Sequence, residues 1–235
     1  MSNIQALDST AHGDLRISMA HGPELGDAIN QVQIFATEFE EAQRHYPILF
    51  SRKEDGRLLA LAVLGFARDE NLFLTGQKWD GYVPALIARG PFLIGGGASE
   101  DPVIAVDLDH LRICKDEDEG LPLFREHGGH APALEAALEA LRAIHVGNQN
   151  AQAMQDAFEE HALLEEANLE VAIDAETTMN FEGFAVITHE RIAGLGGASL
   201  EDLSRKGFLL PAIFAASSLQ NMQYLVMRKR MKDRA

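Results

Sequence analysis

Cysteine is nearly absent. Cys114 is the only one in 235 residues, which excludes an internal disulfide and fits a reducing compartment. Its neighbours, Leu111-Arg112-Ile113-Cys114 and then mostly acidic residues, suit a small buried apolar side chain better than an activated thiol, which needs a cationic setting. Positive charge is also scarce. Lys and Arg number 20 against 36 Asp and Glu, a net charge of -16. A nucleic-acid partner is therefore excluded, because neutralising phosphates needs a basic face. Long apolar runs are missing as well. A bilayer span needs roughly 20 consecutive apolar residues, and the best stretch, Gly207 to Met227, is broken by Pro211, Ser217, Ser218, Gln220, Asn221 and Gln223. No membrane insertion is expected. Residues 1–14 have neither a basic start nor an apolar core, so they do not read as a secretory signal, and a cytoplasmic location is the expectation.

What remains is ordinary globular composition, 46% hydrophobic and 24% charged, long enough for one sizeable core. Residues 1–26 read as a partly flexible N-terminal segment, and 27–235 as a single domain. Ile34, Phe35, Phe39, Ala42 and Tyr46 mark an approximate helical stripe within Ile29 to Tyr46, ending before Pro47. Ile48 to Phe50, Leu58 to Phe66 and Leu72 to Leu74 then read as an antiparallel meander whose middle strand is apolar on both faces. A short helix is expected from Pro84, and strands at Phe92 to Ile94, Val103 to Asp107 and Leu111 to Cys114. Beyond these, two helices, Ala131 to His145 and Asn148 to Glu166, form an αα-hairpin turning at Val146-Gly147. Strands at Leu169 to Ala175 and Phe181 to Thr188 precede a long final helix, Leu209 to Met231. The expected class is α+β: a mostly antiparallel sheet covered by the αα-hairpin and the long C-terminal helix.

The order of four stretches resembles the SapC family of bacterial proteins. They are Phe35-x3-Phe39 with His45-Tyr46-Pro47-Ile48-Leu49-Phe50; Leu64-Gly65-Phe66 with Asn71-Leu72-Phe73; Trp79-x2-Tyr82-Val83-Pro84-Ala85 with Arg89-x-Pro91-Phe92; and Leu121-Pro122-Leu123-Phe124 with Phe208-Leu209 and Ser217 to Asn221. The chain departs from the family pattern at Ala88-Arg89-Gly90, where a second Arg and an aromatic are usual, and at Gly95-Gly96-Gly97. The resemblance implies surface-layer biology or companionship with halogenase-type and cupin-like proteins, and so an accessory role in recognition or delivery. It implies little chemistry.

Candidate chemistry is sparse. His127-Gly128-Gly129-His130, with His110, has metal-like spacing but nothing to fix three or four convergent ligands. Gly95-Gly96-Gly97 leads into Ala98-Ser99 rather than a helix with a Lys, so it matches no phosphate-loop fingerprint. Ser217 and Ser218 lack a nucleophile elbow and read as small packing residues. Trp79, Tyr82, Arg89 and Phe92, with His45 upstream, form the best binding set, because Trp, Tyr and Arg dominate recognition hot spots. The expected function is a non-enzymatic accessory protein for a peptide or protein partner, with no cofactor and no metal. The rivals are a small metal-dependent enzyme using His110, His127 and His130, and a surface-layer subunit. Ala215, Leu219, Met222 and Val226 on the last helix offer a candidate homodimer seam.

Overall fold

A computed structural model describes residues 3–95, 103–114, 119–173 and 178–234. In chain order the elements are β1 (Ile4–Ala6), β2 (Arg16–Ile17), β3 (Gln31–Ile34), α1 (Phe39–Ala42), β4 (Ile48–Arg52), β5 (Leu58–Val63), β6 (Leu74–Thr75), β7 (Lys78–Trp79), α2 (Ala85–Ala88), β8 (Phe92–Gly95), β9 (Val103–Asp107), β10 (Leu121–Pro122), α3 (Pro132–Glu160), β11 (Leu164–Ala172), β12 (Thr178–Ile187), α4 (His189–Ala193), α5 (Gly197–Lys206), α6 (Leu209–Ser218) and α7 (Asn221–Lys232). Every strand pairing among them is antiparallel, so the class is α+β as expected. No helix among the described residues is long and apolar enough to cross a membrane. Gly96 and Gly97 of the glycine run lie outside the described residues.

The chain divides into two compact units. The first comprises Met1–Asp27 and Leu74–Ile144. Its sheet has the order β1-β9-β8, beside the small pairs β10-β2 and β6-β7. Ala133, Leu134, Ala137 and Leu141 fall on one face at helical spacing. They close the core over Ile17, Phe92, Val106 and Leu123.

The second unit comprises Ala28–Phe73 and His145–Ala235. Its five-stranded sheet runs β11-β12-β4-β5-β3. The apolar β5 is flanked by β4 (Ile48↔Ala62 to Arg52↔Leu58) and β3 (Gln31↔Val63 to Ile34↔Ala60), and its residues are buried apart from half-buried Leu59. Phe39, Tyr46, Phe50 and Phe158 are fully buried, each worth roughly 1.5–3 kcal/mol of burial. Edge-to-face rings link Tyr46 to Phe73 at 4.6 Å and Phe50 to Phe158 at 5.9 Å. Ser218 Oγ accepts from the Ile48 N–H at 2.9 Å, and Asn221 Nδ2 donates to the carbonyls of Gln43 and Tyr46 at 2.7 and 3.2 Å. Ser218 is thus structural, as its setting suggested.

Four sequence expectations are corrected. The αα-hairpin is one 29-residue helix, α3, and Gly147 lies inside it. A Cβ there would stand 2.3 Å from Phe35 Cβ, so the glycine serves a close approach rather than a turn. The stretch Ile29 to Tyr46 is strand β3, a 3-10 turn and the single turn α1, not one helix. The alternation Gln31-Val32-Gln33-Ile34, with Val32 and Ile34 buried, outweighs the looser helical stripe. Leu72 and Phe73 join no strand; Leu74–Thr75 pairs with Lys78–Trp79 instead. Leu111 to Cys114 is a turn with a single bridge, Ile17↔Ile113.

The long C-terminal helix is present but bent between α6 and α7. There, Leu219 and Met222 donate to the carbonyls three residues back, and the Ser218 hydroxyl donates to the Ala215 carbonyl at 2.6 Å. Such tightened and side-chain-diverted bonds bend helices. Ala215 is fully buried within this unit, so it faces inward. The exposed apolar side chains of α7 are Tyr224, Met227 and Met231.

Candidate functional site

The candidate site lies in the first unit, where the β6-β7 hairpin leads into α2 and β8. Pro84 sits in extended conformation (φ -57°, ψ 144°) as the N-cap of α2. Its carbonyl accepts from the N–H groups of Ile87 and Ala88 at 2.8 and 2.9 Å. A proline suits this place, since a first-turn N–H would have no helical partner. Gly90, at φ +53°, ends the helix in a left-handed conformation that a side chain would strain. The reversal folds Arg89 back over the start of β8, where its Nη1 donates to the Phe92 carbonyl at 2.8 Å and more weakly to Gly90 at 3.4 Å.

Across from this turn stands a buried ionic network. Arg112 Nη2 lies 2.8 Å from both Asp27 oxygens, and Arg112 Nη1 donates to the Ala20 carbonyl. Asp27 Oδ2 also meets His21 Nδ1 at 3.1 Å and accepts the Gly22 N–H at 3.0 Å. Burial pushes the Asp27 carboxyl up. Hydrogen bonds from His21 and Gly22, with the Arg112 guanidinium, outweigh it and hold the group below the usual aspartate range. His21 lies edge-on to Trp79, with ring centroids 5.5 Å apart.

A cavity of about 100 Å³ opens between these groups. Its walls are apolar: Ile17, Met19, Val83, Ile87, Pro91 and the α3 alanines Ala133, Ala136 and Ala137. Its polar lining comes from Arg89, Arg112, His21 and Ser18. The two arginines differ. Arg112 is neutralised by Asp27. Arg89 is half-buried and bonds only to carbonyls, and no carboxylate among the described residues pairs with it. Burial pulls its guanidinium down, yet an arginine stays charged at any working pH. His110, whose Nδ1 accepts the Arg112 N–H at 3.1 Å, is held below the ordinary imidazole value by burial and by the charges of Arg112 and Arg89.

The binding set read from the sequence is only partly gathered here. Arg89 lines the cavity, and Phe92 holds it through a carbonyl while its own ring is fully buried in the core. Trp79 is buried at 8% exposure and touches the cavity's edge through His21; Tyr82 is half-buried. His45 belongs to the second unit, its ring tilted against Tyr46 at 5.8 Å. Sequence reasoning missed Arg112, Asp27 and His21. Asp27 and Arg112 are 85 positions apart, and the one local hint was an arginine inside the apolar run Leu111-Arg112-Ile113.

The histidines with metal-like spacing do not converge. His127 and His130 are exposed on a turn closed by Arg125 and Gly129. Among the described residues, the only metal-like group is Glu160, His161 and Asp202. A lysine already serves it: Lys206 Nζ lies 2.9 Å from Glu160 and 2.6 Å from Asp202, and Arg205 lies 2.6 Å from Asp202. These cations hold the Asp202 carboxyl well down. The arrangement is an ion-pair network. In the second unit a cleft of about 400 Å³ lies beside β4 and β12. Its Arg52 is answered by Glu159 at 2.7 Å and its Glu165 by Arg191 at 2.9 Å. The smaller cavity, with its unanswered charge, is the better candidate.

No curated protein and no solved structure matches the chain. The SapC family model matches residues 7–225, which include every residue of the cavity and most of both units. The chain belongs to the SapC family.

Proposed function

We propose that this protein is a cytoplasmic accessory protein that binds a peptide or protein segment at the cavity of the first unit and performs no chemistry of its own. One observation carries the reading. In a chain of net charge -16, a half-buried arginine without a carboxylate partner borders an apolar cavity. Desolvating a charge without pairing it is costly, and the cost is offset when a partner supplies the anion. The apolar walls would supply burial, and Trp79 behind His21 would stiffen the rim. The companionship with surface-layer and halogenase-type systems that the SapC resemblance implies would fit a protein that presents a segment of chain to another machine.

The test is capture of a random heptapeptide library by immobilised protein, with recovered peptides sequenced. A shared motif is expected, lost with Arg89→Gln and weakened with Trp79→Phe. Recovery indistinguishable from blank resin, or recovery that ignores both substitutions, would sink the proposal.

A further inference from the structure

The cavity also has a size and a charge count, and together they select the end of a chain over its middle. An apolar cavity of roughly 150 Å³ accommodates a benzene ring. The present one, at about 100 Å³, suits a branched side chain of about three to five carbons and excludes an indole. Beside it stands one unneutralised cation. The Arg89 Nη1 is committed to the carbonyls of Phe92 and Gly90, and its remaining N–H groups bond no described residue. A guanidinium with free donors pairs best with a planar carboxylate. Arg112 cannot compete for that anion, because Asp27 already takes it. A mid-chain peptide brings no obligatory negative charge, whereas a C-terminal residue always brings one, next to its own side chain.

We infer that the cavity takes the C-terminal residue of a peptide, its carboxylate on Arg89 and a Val-, Leu- or Ile-sized side chain against Ile17, Val83, Ile87 and Ala133. This rests on the peptide-binding reading above and specifies its ligand. Ala136 is exposed on α3 and lines the same cavity, so it marks an opening that a larger side chain would block without disturbing the core.

The test is an NMR titration of the whole protein with N-acetyl-L-valine, N-acetyl-L-valinamide, N-acetyl-L-tryptophan and isovalerate. N-acetylvaline should shift the methyl signals of Ile17, Ala133 and Ala137 and bind at least about tenfold more tightly than the amide, the scale of one lost charge-assisted hydrogen bond. Arg89→Gln should equalise acid and amide. Ala136→Phe should abolish binding of both while leaving the fold intact, and N-acetyltryptophan should not enter. Equal binding of acid and amide, or no shift at these methyls, would overturn the inference. So would isovalerate binding where N-acetylvaline does not, which would make the ligand a free short acid. Heptapeptide libraries with free and amidated C-termini separate the two levels. Arg89-dependent capture of both alike would discard the carboxylate and keep the binding protein. Capture of neither would discard both.

Discussion

The two units treat buried polar groups differently. In the second, such groups tie chain to chain. Glu38 accepts the Phe35 N–H, Gln155 accepts the Leu58 N–H and donates to the Gly56 carbonyl, and Asn221 holds the end of α1 and the turn before β4. Glu70 accepts the Phe66 and Ala67 N–H groups and pairs with Lys229 at 3.0 Å. In the first unit the Arg112–Asp27 pair is equally complete, but Arg89 beside it is not answered by any described carboxylate. Buried polarity that closes on itself specifies a fold. A cation left open beside an apolar cavity is the feature that the proposed ligand would answer. The contrast can be broken or sharpened by removing one closed group and the open one in turn.

The largest effect should come from Arg112→Ala. It leaves Asp27 charged and buried without its main partner, and breaking such a pair costs about 3–5 kcal/mol. Urea unfolding would measure it. The companion experiment is pH. Asp27 has its pKa lowered on folding, so its contribution is fully present above the unfolded value of about 3.9 and is lost as pH falls through the folded one. Wild-type melting temperature should therefore drop in that acid window, and Asp27→Asn should flatten this part of the curve while lowering stability at neutral pH.

Next comes Gly147→Ala in the second unit. Helix propensity alone favours alanine by about 1 kcal/mol. The new Cβ, however, would lie 2.3 Å from Phe35 Cβ and 2.5 Å from its Cγ. Overpacking of this kind costs roughly 1–3 kcal/mol, so the net change should be destabilising. A thermal melt at or above the wild-type temperature would show that Phe35 can yield and that the glycine is not there for close packing.

Legibility in the sequence followed sequence distance. β4, β5, β8, β9 and α2 were readable because each is a local apolar run bounded by its own turn residues. Gly147 misled because a glycine kept for a neighbour's ring looks the same as one kept for a turn. β3 was hidden by aromatics that serve the helical turns after it. Arg89 and Phe92 are close neighbours in the sequence, yet their contact runs through the Phe92 carbonyl, which side-chain chemistry does not reveal. The Arg112, Asp27 and His21 network could not be read at all. It joins residues from separate stretches of the first unit, and no periodicity encodes such a meeting.

The smallest stability effect, and the most informative, belongs to Arg89→Met. The substitution removes one hydrogen bond to the Phe92 carbonyl, worth about 1 kcal/mol. It also relieves the desolvation of a charge that no described carboxylate offsets, and methionine keeps much of the apolar stem. The two contributions oppose each other, so stability should change by no more than about 1 kcal/mol in either direction. Arg112→Ala, at a residue that lines the same cavity, should cost several times more. A loss with Arg89→Met as large as that of Arg112→Ala, measured by urea unfolding, would make Arg89 one more internal tie, and the first unit would then resemble the second. A near-neutral stability with loss of peptide capture would separate them: the second unit's buried polar groups hold the fold, and Arg89 holds something the fold does not contain.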